Sequence, residues 1–325
     1  MIRARMVLAP IARRMSLTAY ITHPSFLKHE MGDYHPECPS RLDAINDHLL
    51  AQGYLDLMVP FTAPEVTREQ LLRAHTAHYL AEIEELSPAS GYRQVDPDTR
   101  MNPWSLTAAR HAAGAAVLAT DLVASGEVTR AFCAVRPPGH HAERDAAMGF
   151  CFFNNVVVGI RHAQRHHGFA RVALVDFDVH HGNGSEDILA GDEQVLMVST
   201  FQHPLYPYLG DVPKGANMVN VPLSPYTRGD AMKKAVEERW LPALAAFRPE
   251  MVFISAGFDA HRDDDMANLG WVETDYAWLT ARLVEVADRH AGGRIVSVLE
   301  GGYALRALAR SVGVHVGVML GAVDA

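Results

Sequence analysis

Short runs of apolar, mostly β-branched residues recur along the chain, and they constrain its fold more than any other feature. Each run is four or five residues long. The runs show little alternation of polar and apolar residues, which is typical of strands covered on both faces. They are Ala131–Val135, Val172–Val175, Val195–Ser199, Met251–Ser255 and Ile295–Leu299. Helical patterns lie between them, so the sequence predicts a mostly parallel sheet flanked by helices.

Apolar residues spaced three and four apart mark three of the intervening helices. One contains Leu106, a second is expected to begin at Gly229-Asp230, and Thr274 is a candidate N-cap for a third. No linker-like composition interrupts the chain from Ser16 onward, so we expect one domain over residues 16–325. The segment 1–15 mixes arginines with apolar residues, and we expect a disordered or loosely attached extension there.

Charge and cysteine content narrow the classes of function. The net charge of −9 argues against nucleic-acid binding through a basic surface. No apolar run approaches the roughly 20 residues of a membrane span. The three cysteines form no CxxC pair, which favours a reducing compartment. We therefore expect a cytoplasmic protein without nucleic-acid or membrane partners.

Polar motifs follow four of the five apolar runs directly. They are RPPGHH (136–141), DFDVHHGNG (176–184), GFDAH (257–261) and EGGY (300–303). Ligands of open parallel sheets bind outside the carboxyl ends of the strands. Four motifs at four such ends predict a single site.

Two of these motifs carry ligands for a divalent metal. Asp176, Asp178 and His180 occupy alternate positions, so on an extended strand they face one side. With Asp259, residues 178 and 180 supply two carboxylates and one imidazole, and coordination positions stay open for water and substrate. This arrangement is typical of a catalytic rather than a structural zinc site.

The other two motifs supply groups for proton transfer and charge stabilisation. His140 and His141, held by a Pro-Pro-Gly turn, are candidates for general acid–base catalysis, with Asp176 and Asn183 as partners that orient their rings. Tyr303 can donate a hydrogen bond to a developing oxyanion. Together these groups indicate hydrolysis of an amide or ester. The segment GFCFFNN (149–155) offers an apolar wall, with Phe150 nearest the histidines and Phe152 and Phe153 interpreted as core.

In order and spacing, these motifs resemble those of the histone deacetylase superfamily, on the class II-like bacterial and acetylpolyamine amidohydrolase branch. The resemblance begins at HPECPSRL (35–42) and ends at EGGY (300–303). It implies the arginase/deacetylase α/β fold around an eight-stranded sheet. It also implies one Zn²⁺ per chain and a substrate that is an acylated aliphatic amine, either acetyl-lysine or an N-acetylpolyamine. It permits a homo-oligomer.

The resemblance also implies roles for individual residues. Asp178, His180 and Asp259 would bind zinc. His141 would be the main acid and base, His140 would stabilise charge, and Tyr303 would polarise the carbonyl. A structural K⁺ would lie near Asp176, Asp178, His180, Ser199 and Thr200, and the substrate tunnel would be formed by Gly149, Phe150, Tyr206, Gly301 and Gly302.

Three questions stay open at this stage. Asn183 stands where class I deacetylases carry Asp, which predicts a lower pKa for His141. His261 repeats the Asp-x-His spacing, so a binuclear manganese site of the arginase type is a poorer alternative, and a non-catalytic acyl-amine binder is another. A carboxylate at the tunnel rim would favour polyamines; Asp96, Asp98 and the acidic residues of the loop 262–267 are candidates, and the alternative is that they are solvated turn residues.

Overall fold

The computed structural model of the protein describes residues 16–323. At its centre is a sheet of eight strands, and all seven neighbouring pairs are parallel. In spatial order the strands are β2 (Val59–Thr62), β1 (Thr18–Thr22), β5 (Arg130–Cys133), β10 (Ile295–Leu299), β9 (Met251–Ala256), β6 (Val172–Asp176), β7 (Val195–Gln202) and β8 (Met218–Leu223). A separate antiparallel hairpin pairs β3 (Arg93–Asp96) with β4 (Thr99–Met101).

The helices pack in groups against the sheet. α4 packs along α5, whereas α10 contacts both α1 and α9. Their bounds are α1 (Ser40–Ala51), α2 (Arg68–Leu71), α3 (Ala77–Leu86), α4 (Ser105–Ser125), α5 (Asn155–His167), α6 (Asn183–Leu189), α7 (Gly229–Ala235), α8 (Leu241–Phe247), α9 (Glu273–His290) and α10 (Leu305–Leu320). A π-helical turn, Val236–Trp240, joins α7 to α8. Among the described helices, none is both long and apolar enough to cross a membrane.

The predicted fold class is confirmed. All five apolar runs form strands, and every residue of β5, β6, β9 and β10 is buried, which explains why these runs lack alternation. The prediction of Thr274 as an N-cap is wrong. α9 begins at Glu273, and the Asp275 carboxylate accepts a hydrogen bond from the Val272 N–H at 3.0 Å, so an acidic residue inside the first turn does the capping.

The four strands that carry the polar motifs are neighbours. β5, β10, β9 and β6 occupy the middle of the sheet in that order. Because they are parallel, their carboxyl ends lie at one edge, and the loops that follow them converge there. The predicted extension, 1–15, lies outside the described residues.

Candidate active site

Two carboxylates and one imidazole meet at the carboxyl ends of β6 and β9. His180 Nδ1 lies 3.1 Å from Asp178 Oδ1 and 3.2 Å from Asp259 Oδ2, and all three side chains are buried. We call these residues the metal-ligand cluster. Other oxygens of the same carboxylates are held by the backbone: Asp178 accepts from the Gly301 N–H at 2.8 Å and Asp259 from the Val179 N–H at 3.0 Å. The ligand atoms are therefore fixed before any ion binds.

The electrostatics of this cluster fit a cation. Burial raises the pKa of Asp259 to about 6, and repulsion from Asp178 adds to the rise. Burial alone would lower the pKa of His180, but the two carboxylates outweigh it and raise that pKa to about 10. Within residues 16–323, the buried Asp259 Oδ2 has no donor in hydrogen-bonding geometry. A Cβ atom at Gly301 would overlap the carboxylates of Asp259 and Asp178. The residues present therefore fit a divalent metal ion.

The two histidines after β5 lie beside this cluster with their rings 4.1 Å apart. His140 Nδ1 donates to Asp176 Oδ2 at 3.0 Å. Burial alone would lower the pKa of His140, but Asp178 and Asp176 outweigh burial and raise it to about 10. His140 is therefore the imidazole of the pair that carries a positive charge, with both ring nitrogens protonated.

His141 has a neutral partner. The amide of Asn183 uses both of its ends: Nδ2 donates to Glu143 Oε1 at 2.8 Å, and Oδ1 accepts from His141 Nδ1 at 2.7 Å. Because Glu143 fixes the orientation of the amide, the His141 proton is on Nδ1 and the lone pair of Nε2 is left to accept a proton. Burial, with the charges of His140 and His180, lowers the pKa of His141 well below its usual value.

Aromatic side chains enclose the histidine pair. Tyr206 makes an edge contact with His141 at 5.2 Å, and Phe150 packs edge-on against Tyr303 at 5.9 Å. Gly149 has φ of +56°, and a Cβ atom there would overlap the His141 ring, so only glycine lets the chain pass so close. Phe150 itself has φ of +68°, a strained conformation, and its ring packs between those of Tyr303 and His35.

Tyr303 is held by a buried network that follows β10. Asp264 Oδ2 accepts hydrogen bonds from the N–H groups of both Tyr303 and Ala304, the latter at 2.9 Å. Arg41 donates to the Gly302 carbonyl at 2.7 Å, and its guanidinium lies 4.9 Å from the centre of the Tyr303 ring. Burial raises the pKa of the Tyr303 phenol well above its usual value, so the hydroxyl stays protonated at neutral pH.

Several residues of the network were named within motifs but given no role. The carboxylate of Glu300 accepts from the N–H groups of Gly139 and His140 at 2.7 and 3.1 Å, so it holds the turn that carries the histidines. Glu37 is buried between two arginines, Arg41 and Arg136. The sequence feature that could have identified these residues is the presence of a few charged residues within motifs that are otherwise uncharged.

The remaining candidates fall into two groups. Asp176 pairs with Ser199 across β6 and β7, and Thr200 follows; its buried hydroxyl finds no hydrogen-bond partner in the part of the chain that the structure describes. These side chains lie next to the loop that carries Asp178 and His180. By contrast, the imidazole of His261 is buried against Glu273 at 3.4 Å and is not part of the metal-ligand cluster.

The candidate rim carboxylates also fall into two groups, one in the β3–β4 hairpin and one in the loop 262–267. Asp96 and Asp98 bracket the turn of the β3–β4 hairpin, where Thr99 Oγ1 accepts from the Phe150 N–H at 2.9 Å. The hairpin therefore lies against the backbone of Phe150. Asp264, in the other candidate loop, is buried and holds the Tyr303 backbone, so it is not free to bind a substrate amine.

Comparison with known proteins decides the family. The histone deacetylase domain model matches residues 35–319. The chain belongs to the histone deacetylase family. A histone deacetylase-like amidohydrolase of Pseudomonas aeruginosa is 40% identical over 277 residues, which cover 83% of this chain and 72% of that protein.

Two further relatives support this placement. The polyamine deacetylase HDAC10 of Homo sapiens is 37% identical over 88% of this chain, which spans 45% of that protein. The crystal structure of the HDA15 HD domain superposes with a TM-score of 0.88 at 35% identity, covering 94% of this chain and 88% of that one. This histone deacetylase family member is a deacetylase, and it has the arginase/deacetylase fold.

Proposed function

We propose that this deacetylase removes acetyl or other acyl groups from aliphatic amines, with acetyl-lysine side chains as the main substrates and one Zn²⁺ held by Asp178, His180 and Asp259. The observation that carries the proposal is the convergence of this buried cluster with the histidine pair and Tyr303 at one edge of the sheet. Zinc bound there would polarise the acyl carbonyl and lower the pKa of the attacking water.

The protein groups then divide the proton transfers between them. His141 Nε2 accepts a proton from the attacking water and later returns it to the departing amine. His140, kept protonated by Asp176, stabilises the negative charge that develops beside it. The Tyr303 hydroxyl donates a hydrogen bond to the carbonyl oxygen as that oxygen becomes an anion. Phe150 and Tyr206 line the route of the acyl-amine chain.

A structural K⁺ and a polyamine substrate are secondary parts of the proposal. Asp176, Ser199 and Thr200, together with the backbone at Asp178 and His180, would hold the potassium ion. The likeness to a polyamine deacetylase, and the hairpin carboxylates Asp96 and Asp98 beside the tunnel wall, favour N-acetylpolyamines as the second substrate class. We retain the predictions of a cytoplasmic location and of a homo-oligomer as proposals.

A substrate panel tests the proposal. The values of kcat/KM for an acetyl-lysine peptide, acetylputrescine, acetylspermidine and longer acyl versions should rank the peptide first. Higher values for both acetylpolyamines would transfer the assignment to that class. An absence of turnover on every member, with zinc bound, would instead support a non-catalytic acyl-amine binder, and two tightly bound manganese ions per chain would support the binuclear alternative.

Tyr303→Phe tests the mechanism. It removes one hydroxyl and keeps the ring that packs against Phe150 and Arg41. We expect kcat to fall by about 10² to 10³, the usual cost of removing one oxyanion donor, while the zinc content is unchanged. A rate near that of the unsubstituted protein would refute the role of Tyr303.

A further inference from the structure

A second group of metal-ligating side chains lies where α4 packs against α5. It consists of three histidines from the end of α5 and one aspartate of α4: Asp121, His162, His166 and His167. We call it the α5 histidine cluster. Each side chain offers a ligand atom, and these atoms lie within 4.8 Å of one another. α5 is the crossover from β5 to β6, so its last turn lies towards the amino ends of the strands, at the sheet edge opposite the candidate active site.

The ligand atoms converge on one carboxylate. The Nε2 atoms of His162 and His167 lie 2.8 and 2.7 Å from the same oxygen, Asp121 Oδ1. His162 and His166 are four residues apart and therefore share one face of the helix. Their rings stack at 4.8 Å, and the His167 ring meets that of His166 edge-on at 4.8 Å.

The helices hold this arrangement in place and leave it open to solvent. α4 and α5 are in close contact, because a Cβ atom at Gly159 would lie 3.2 Å from the Cβ of Ala116. Within the cluster His162 is buried, Asp121 and His167 are half-buried and His166 is exposed. An ion can therefore enter from the exposed side without any movement of the two helices.

Three imidazoles packed around one carboxylate suit a metal ion better than protons. Protonated rings at these distances repel one another, and one carboxylate cannot neutralise three of them. A divalent transition metal binds neutral imidazoles and a carboxylate together, which is the donor set that zinc, nickel and copper prefer. We propose that Asp121, His162, His166 and His167 form a second metal site for a divalent ion of the zinc class, separate from the metal-ligand cluster.

One neighbouring charge opposes the bound ion. Arg73 Nη1 lies 3.2 Å from His162 Nδ1, and Nη2 of the same guanidinium lies 2.8 Å from Glu69 Oε1. Coordination through His162 Nε2 transfers the ring proton to Nδ1, so Arg73 must give up its contact there. Removing the Arg73 guanidinium should therefore tighten metal binding. If the histidines formed only a structural hydrogen-bond network, the same change would weaken that network and would not tighten metal binding.

The test is a zinc and nickel titration of the purified protein with its tightly bound metal in place. Calorimetry and metal analysis should show one additional ion per chain. The double variant His166→Ala/His167→Ala should bind this ion at least about tenfold more weakly and keep its deacetylase activity. His78→Ala removes an exposed histidine that lies outside the cluster and serves as the control; it should bind as the unsubstituted protein does.

Two further variants make the outcome decisive. Arg73→Gln should bind the additional ion more tightly than the unsubstituted protein. If the double variant does not fold, His166→Gln replaces it, because the His166 ring is exposed; this variant should also bind the additional ion more weakly. Uptake of no additional ion by the unsubstituted protein would overturn the proposal, and so would equal uptake by the double variant or by His166→Gln. In that case the histidines only close the last turn of α5 as basic groups near a helix carboxyl end.

Discussion

We expect the neutral partner of His141, the proposed general base, to set the pH range in which this deacetylase can work. Asn183→Asp places a carboxylate 2.7 Å from His141 Nδ1, where the amide oxygen now lies. A carboxylate stabilises the protonated ring, so the pKa of His141 should rise by about 1 to 3 units. Because a general base must be neutral to accept a proton, the role proposed for His141 requires the acid limb of the pH–rate profile to move to higher pH by the same amount.

The single substitution Asn183→Asp also affects a second contact of this side chain. Asn183 also donates to Glu143 at 2.8 Å, so a carboxylate at position 183 would face a second carboxylate and lose that hydrogen bond. This should lower the free energy of unfolding by about 1 to 3 kcal/mol. Adding Glu143→Gln restores a donor on the other side. The double variant keeps the net charge of the protein and moves one negative charge from Glu143 to the atom beside His141.

The assay is kcat/KM as a function of pH, which reports the ionisations of the free enzyme. We expect the acid limb to move upward in the double variant, and the single variant Glu143→Gln serves as the control with its limb near the original position. Unfolding experiments on all three variants separate loss of stability from a shift in ionisation. An unmoved acid limb in a folded double variant would refute His141 as the general base.

Three further predictions concern stability and metal binding. Glu37→Gln should lower the free energy of unfolding by about 3 to 5 kcal/mol in denaturant titrations, because buried Arg136 loses its charge partner. Burial lowers the pKa of His315 to about 3, so the unfolded chain takes up a proton that the folded chain refuses. Stability from this group is complete above about pH 6.5 and falls by about 2 kcal/mol near pH 5, and His315→Gln should remove that part of the acid sensitivity. Gly301→Ala should abolish metal uptake at the metal-ligand cluster, as measured by metal analysis, because the added methyl group overlaps the carboxylate of Asp259.

Much of the fold was predictable because burial leaves a direct mark on sequence. The central strands are covered on both faces, so they are predominantly apolar and easy to find. The edge strand β2 was missed since it alternates between half-buried and exposed residues and contains Pro60. β8, at the other edge, is likewise interrupted by an exposed Pro222. Edge strands carry fewer constraints, and their sequences are correspondingly less distinctive.

The side chains of the candidate active site were predictable for a different reason. Parallel strands bring their carboxyl ends to one edge, so polar motifs after four strands had to meet if those strands were neighbours. Strand alternation does not account for Asp178 and His180, because β6 ends at Asp176 and the N–H groups of both residues donate to the carboxylate two positions earlier. Strand order does not follow from the motifs either, so the sequence could not show that β5, β10, β9 and β6 are adjacent.

The supporting network could not be predicted from spacing, because its bonds join residues that are distant in sequence. Arg41 contacts the carbonyls of Glu300 and Gly302 across about 260 positions, at 2.5 and 2.7 Å. Glu37, which neutralises Arg41, also binds Arg136 at the start of the histidine turn. One buried carboxylate therefore connects the loop that bears the histidines to the loop that bears Tyr303. The relative position of the proposed acid–base and oxyanion groups depends on this charge, which explains how a motif distant in sequence contributes to the candidate active site.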